Sequence, residues 1–312
     1  MRTTRLWRLL CLIIFLPLVA CYEGIPKHLK PLSDEAQALL SRKKMAQGSP
    51  VFMRIFKEEA ELEVWVKRGP EFALFKTYKI CNWSGKLGPK LKQGDKQAPE
   101  GFYLVKPGQM NPFSKYHLSF NLGYPNAYDV SFKRTGDFLM VHGGCSSAGC
   151  YAVTDDNVQE IYSLSRDAFL GGQRAFHVQA FPFRVTEANL ARHKNNKWYS
   201  FWAELKTGYD LFNETHLPPK IGVKDKKYVV EAAPDTEIDI FAPKTRSDRR
   251  AIKLAARHLR VKQIPLFRSA PAASKESWAK RLIARPSNSA LANTGSTAGV
   301  TGGDASAASK NF

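Results

Sequence analysis

The sequence predicts an α+β fold weighted towards β structure, and three observations predict it. Residues 51–80 carry strand-like runs rich in β-branched and aromatic side chains, Gly, Pro and Asn clusters punctuate residues 81–141, and the longer helical signals follow only from Thr154. A chain of 312 residues that is 44% hydrophobic can bury a core without disulfide staples, and is too rich in core formers for wholesale disorder.

In chain order, Arg2, Arg5 and Arg8 precede an apolar run over residues 9–20. That run is well short of the ~20 residues a spanning helix needs, so residues 1–20 are expected to be an export signal. Leu18-Val19-Ala20-Cys21 is similar to a bacterial lipobox, in which Cys21 takes lipid and becomes the mature N-terminus; the alternative is ordinary cleavage after Ala20. Either outcome places the chain in the periplasm or cell envelope. Residues 21–47 are expected to be a polar tether holding one short helix near 34–45, and the domain proper is expected over 48–241.

Within it, residues 51–56, 62–67 and 72–80 predict a meander of antiparallel strands, broken at Arg68-Gly69-Pro70. Further strands are expected at 101–105, 117–122 and 138–141. Thr154 caps a predicted helix to Phe169, with Asp155 and Asp156 in its first turn and Gly171-Gly172 as its stop. A second helix is expected from Thr186 to Leu205, closed by Gly208, with Trp198, Phe201, Trp202 and Leu205 as a core-facing stripe. The predicted catalytic domain ends between Phe212 and Phe241.

Lys and Arg number 47 against 28 Asp and Glu, a formal net charge of +19, which calls for an anionic partner. Export makes nucleic acid the wrong one, leaving a membrane surface or an acidic polymer. Residues 244–286 hold 13 Lys and Arg against Asp248 and Glu276, a net +11, so more than half of the excess lies in a predicted basic helical extension over 242–286. Residues 287–312 are almost all Ser, Ala, Gly, Thr and Asn and are expected to be disordered.

The chemistry concentrates in residues 140–151, between a predicted strand and a predicted helix. A cysteine nucleophile needs a nearby base and backbone N–H donors for the oxyanion it creates. Cys150 has His142 close in sequence, with glycines between them that permit tight turns. Two other readings compete. His142, Cys145 and Cys150 with Cys81 could form a Cys3His metal set; or Cys81 and Cys145 pair as a disulfide and leave Cys150 free, which suits an odd number of domain cysteines in an oxidising compartment. No glycine-rich phosphate loop, paired-carboxylate spacing or HExxH is present, and no cofactor is expected.

His142-Gly143 followed by Ser147-Ala148-Gly149-Cys150 resembles the active-site motif of the murein L,D-transpeptidases, the YkuD domain family. Tyr78-Lys79-Ile80-Cys81, the stretches 85–90 and 98–103, Gly94-Asp95, residues 123–129, Phe181-Pro182-Phe183-Arg184 and Tyr228-Val229-Val230 are similar to its YafK-like branch. The resemblance spans about residues 49–231. It implies a β-sandwich-like catalytic domain with peripheral helices, acting on peptidoglycan stem peptides through a thioacyl-enzyme at the L-centre of meso-diaminopimelate. Cys150 would be the nucleophile and His142 the general base. Gly149 and Cys150 N–H groups would form the oxyanion hole, while Ser147 and Gly143 would shape the loop and orient the imidazole. Many members carry His where Ala148 stands and Arg or Asn where Ala152 stands, which leaves the acceptor open. The resemblance therefore implies either wall cross-linking or an amidase that detaches an outer-membrane lipoprotein from murein. The reading of a different class is a non-catalytic wall-binding lipoprotein.

Overall fold

The computed structural model describes residues 24–233, which belong to one compact unit. The export signal, Cys21, the basic extension and the tail lie outside the described residues. Among the described residues, no helix is long and apolar enough to cross a membrane.

Strands β1 (Val51–Phe56), β2 (Glu61–Arg68) and β3 (Glu71–Lys79) form the antiparallel meander. Two strands distant in sequence, β5 (Gly101–Val105) and β10 (Phe176–Phe181), complete a five-stranded sheet of order β3-β2-β1-β10-β5, with β1 and β10 parallel. Every residue of β1 is buried, because the sheet is covered on both faces. Met53 and Ile55 enter the main core, while Phe52 and Phe56 enter two smaller clusters on the opposite side.

A second five-stranded sheet has the order β4-β9-β8-β7-β6: β4 (Asn82–Trp83), β9 (Tyr151–Ala152), β8 (Met140–His142), β7 (Ser119–Asn121) and β6 (Met110–Asn111). Its Phe120, Val141 and Tyr151 share the main core with Val64 and Tyr103 of the first sheet. The same core takes Val158, Ile161 and Leu164 of a helix over Asp155–Leu170. The fold is thus α+β and β-rich.

Three expectations change. The segment read as a tether is part of the domain from residue 27 onward: after a short 3-10 turn (Lys27–Leu29), Ser33 caps helix α1 (Asp34–Arg42). Leu32, Ala36 and Leu40, four residues apart, bury one face in the main core, and Met45 follows them. Lys43 Nζ fastens the helix end to the Leu74 and Phe75 carbonyls at 2.8 Å each.

The numbering continues with α2 (Ala127–Ser131) and α3 (Asp155–Leu170). The single helix expected from Thr186 is two, α4 (Glu187–Arg192) and α5 (Tyr199–Thr215), separated by a polar turn in which Asn196 Oδ1 accepts from Trp198 N–H. Gly208 is not a stop. It lies inside α5, where a Cβ would stand 2.6 Å from Phe102 Cζ, so its role is close approach of the helix to β5. The helix instead ends at His216 in the left-handed conformation. Finally, an unforeseen hairpin, β11 (Lys220–Lys224) with β12 (Lys227–Glu231), packs Tyr228 on Tyr128 with ring centroids 4.2 Å apart.

Candidate active site

β8 and β9 run parallel with Val141 beside Tyr151 and His142 beside Ala152. Eight residues, 143–150, leave the end of β8 and return to the start of β9. Such a short crossover suffices because the strands themselves span only three and two residues. Cys150 precedes β9 by one residue and lies beside Met140, whose N–H its sulfur accepts. The topology therefore brings Cys150 to β8 two residues before His142.

His142 is buried, and its Nδ1 lies 2.6 Å from the Gly143 carbonyl. A carbonyl only accepts, so Nδ1 carries the proton and Nε2 keeps its lone pair. Tyr116 covers the ring with centroids 4.7 Å apart. Burial lowers the His142 pKa, and the Gly143 carbonyl works against that. Gly143 itself has no room for a side chain: a Cβ would stand 2.4 Å from Asp155 Oδ1 and 3.0 Å from the Tyr116 carbonyl. Asp155, at the first turn of α3, also accepts the Gly144 N–H at 2.8 Å, tying the loop to the helix.

Further along the loop, Cys145 is joined to Cys81, just before β4, by a disulfide with Cα atoms 5.4 Å apart. Neither sulfur is then available as a thiolate ligand, and among the described residues no cluster of His, Cys, Asp and Glu could hold a metal ion. Ser147 Oγ donates to the Cys150 carbonyl at 2.7 Å and accepts the N–H groups of Gly149 and Cys150 at 3.3 and 3.1 Å. Those two groups, expected to stand open as oxyanion donors, are therefore engaged by the Ser147 hydroxyl in the resting structure.

Cys150 is the free thiol of the described residues and is half-buried. Its Sγ accepts the Met140 N–H at 3.4 Å and faces the Phe138 carbonyl at 3.8 Å; it makes no bond to His142 in this resting state. Burial pushes its pKa up, while the Met140 N–H and the Lys90 charge pull it down. Lys90, Asp95, Tyr116 and Asp155 are site residues that no motif in the sequence marks as such. Lys90 and Asp95 fall in stretches that carry the family resemblance, which was the available signal; nothing local marked Tyr116.

Over 228 residues, 72% of this chain and 90% of the relative, the sequence is 42% identical to "Putative L,D-transpeptidase YafK" of Escherichia coli K12, and equally so to its counterpart in strain O157:H7. The chain belongs to the L,D-transpeptidase family, in its YafK-like branch. No protein-family model matches the chain. Two solved structures overlap it at 18% identity: the helical cell shape determining protein Pgp2 of Campylobacter jejuni, with a TM-score of 0.35 over 64% of this chain and 82% of that one, and Bdellovibrio bacteriovorus Bd1075, with a TM-score of 0.34 over 66% and 84%.

Proposed function

We propose that the chain is a peptidoglycan-modifying acyltransferase of the L,D-transpeptidase type, with Cys150 as nucleophile and His142 as general base. The observation that supports it best is the placement of a free thiol against the backbone of β8, two residues before an imidazole with an unprotonated Nε2. Burial moves both pKa values towards the neutral forms, the thiol upward and the imidazole downward. The resting pair is then a thiol and a neutral imidazole, which act by general-base catalysis rather than as a preformed ion pair.

In the acylation step, the S–H proton passes to His142 Nε2 as sulfur bonds to the carbonyl carbon at the diaminopimelate L-centre. The oxyanion takes the Cys150 N–H as that group leaves Ser147 Oγ, and the hydroxyl keeps its bond to the Cys150 carbonyl. The C–N bond breaks, and the amine departs with the proton from His142. An incoming amine resolves the thioester to a cross-link, or water resolves it to a free carboxyl. Both outcomes use one acyl-enzyme; in the amidase reading the amine that departs on acylation is the lysine of an outer-membrane lipoprotein, and water then resolves the thioester.

Mass spectrometry of murein digests incubated with the purified protein tests the reading. New cross-links establish transfer, loss of the lysine tag from lysine-bearing stems with a free diaminopimelate carboxyl left behind establishes the amidase, and an unaltered digest together with no carbapenem adduct on Cys150 leaves a wall-binding protein. Export to the cell envelope, with Cys21 as the lipid-bearing residue, belongs to the same proposal. Detergent partitioning of the mature chain, lost in Cys21→Ala, would support it, and a wild type that stays in the aqueous phase would overturn it.

A further inference from the structure

Lys90 is buried, its side chain only 5% exposed. Its ammonium is held by Asp95 and by the Lys92 carbonyl at 3.0 Å. Asp95 is itself fixed: it accepts the N–H groups of Leu91 and Lys92 at 2.9 and 3.0 Å and that of Gln97 at 3.1 Å. This small cage adjoins two segments that reach the Cys150 loop. The Lys90 stem crosses Gly136 so closely that a Cβ there would stand 2.7 Å from Lys90 Cε, and two residues on, Phe138 presents its carbonyl to Cys150 Sγ. The backbone that follows Asp95 reaches the other side, where the Gln97 carbonyl lies 3.8 Å from the position of a Cβ on Gly149.

We propose that Lys90 is a positioning residue for Cys150: its buried ammonium, held by Asp95 at the end of a stem that crosses Gly136, supplies the fixed positive field in which the sulfur gives up its proton. The inference rests on Cys150 as the nucleophile and deepens that reading by dividing the labour. His142 accepts the proton, and Lys90 stabilises the charge left on sulfur. Lys90 is the ionic group that lowers the Cys150 pKa against burial, which has the larger effect. The other charged or titratable groups of the packed elements are Lys92, Asp95 and Lys96 on the 90–97 loop, Tyr124, which donates to the Lys90 carbonyl, Asp137 beside Phe138, His142 on β8 and Asp155 on α3, the last engaged with Gly144. Because Asp95 partly neutralises Lys90, the two side chains act on the thiol with opposite signs.

The test is the pH dependence of iodoacetamide alkylation in the full chain without reductant, read by mass spectrometry on the peptide that contains Cys150. It needs no murein, so it stands or falls apart from the choice of substrate. Lys90→Met should raise the midpoint by about one pH unit and slow alkylation roughly tenfold below it. Lys90→Arg should stay near wild type, and Asp95→Asn should lower the midpoint. The same directions should persist in a His142→Ala chain, since the field needs no imidazole. Midpoints that do not move, that move in the same direction in Lys90→Met and Asp95→Asn, or that respond only when His142 is present would overturn the proposal. If Lys90→Met does not fold, Asp95→Asn decides alone: a lowered midpoint upholds it, and an unchanged or raised one ends it.

Discussion

At the sulfur of Cys150, burial and polar contacts pull in opposite directions, and the balance sets what the site does at neutral pH. A base works only when unprotonated, and burial holds the His142 pKa below 6.5. The acid-side limb of carbapenem acylation should therefore have its midpoint below pH 6.5, with the rate still climbing into alkaline pH as the raised thiol pKa is approached. An acid limb above 6.5 would contradict the buried-base assignment. His142→Ala should slow acylation by about 10² to 10⁴, the usual contribution of a positioned base, as stopped-flow kinetics would show. Cys150→Ala should give no adduct at all. Cys145→Ala should still be acylated at Cys150 but lose roughly 2–4 kcal/mol in denaturant titrations, the typical contribution of a disulfide. Cys150 and His142 were legible in the sequence because their spacing and flanking glycines are local features. Lys90 was not, since its 60-residue distance from Cys150 is closed only by folding, and the engagement of Ser147 Oγ depends on a loop conformation that no residue type dictates.

Strands and helices divide along the same line. The runs that became β1, β2 and β3 were visible from composition and breaks, since hairpin neighbours are also sequence neighbours. Pairing of β1 with β10 was not, because Met53 meets Val178 across most of the domain and a buried parallel strand carries no mark of its partner. The apolar spacing of Trp198, Phe201, Trp202 and Leu205 locates α5, yet that period says nothing about where a helix stops, and the helix runs through Gly208 to Thr215. This glycine gives a clean test of packing against propensity. Gly208→Ala should gain about 1 kcal/mol of intrinsic helix preference, but the added methyl collides with the Phe102 ring. Overpacking of this kind costs about 1–3 kcal/mol. Thermal denaturation should show a net loss, largely recovered by adding Phe102→Leu; a stabilised Gly208→Ala chain would mean the ring yields freely.

Over the whole molecule, charge is distributed unevenly, with a net +11 over residues 244–286, outside the described residues. If that segment tethers the enzyme to an anionic surface, truncation after Ala242 should leave turnover of small soluble muropeptides unchanged. Binding to sacculi or anionic vesicles should weaken, most at low salt, because screening shortens the reach of exposed charges from ~10 Å at 0.1 M to ~3 Å at 1 M. Equal binding by the truncated and full chains in pull-down assays at low salt would remove the tether. The bond between Cys81 and Cys145 has a different kind of reach. Cys145 sits five residues before the nucleophile on the same loop and would be its nearest mate wherever the chain meets an oxidant. By committing Cys145 to a sulfur 64 residues away, the fold leaves Cys150 as the free thiol of the described residues, so the bridge that braces the loop also withholds from the proposed nucleophile its nearest partner for oxidation.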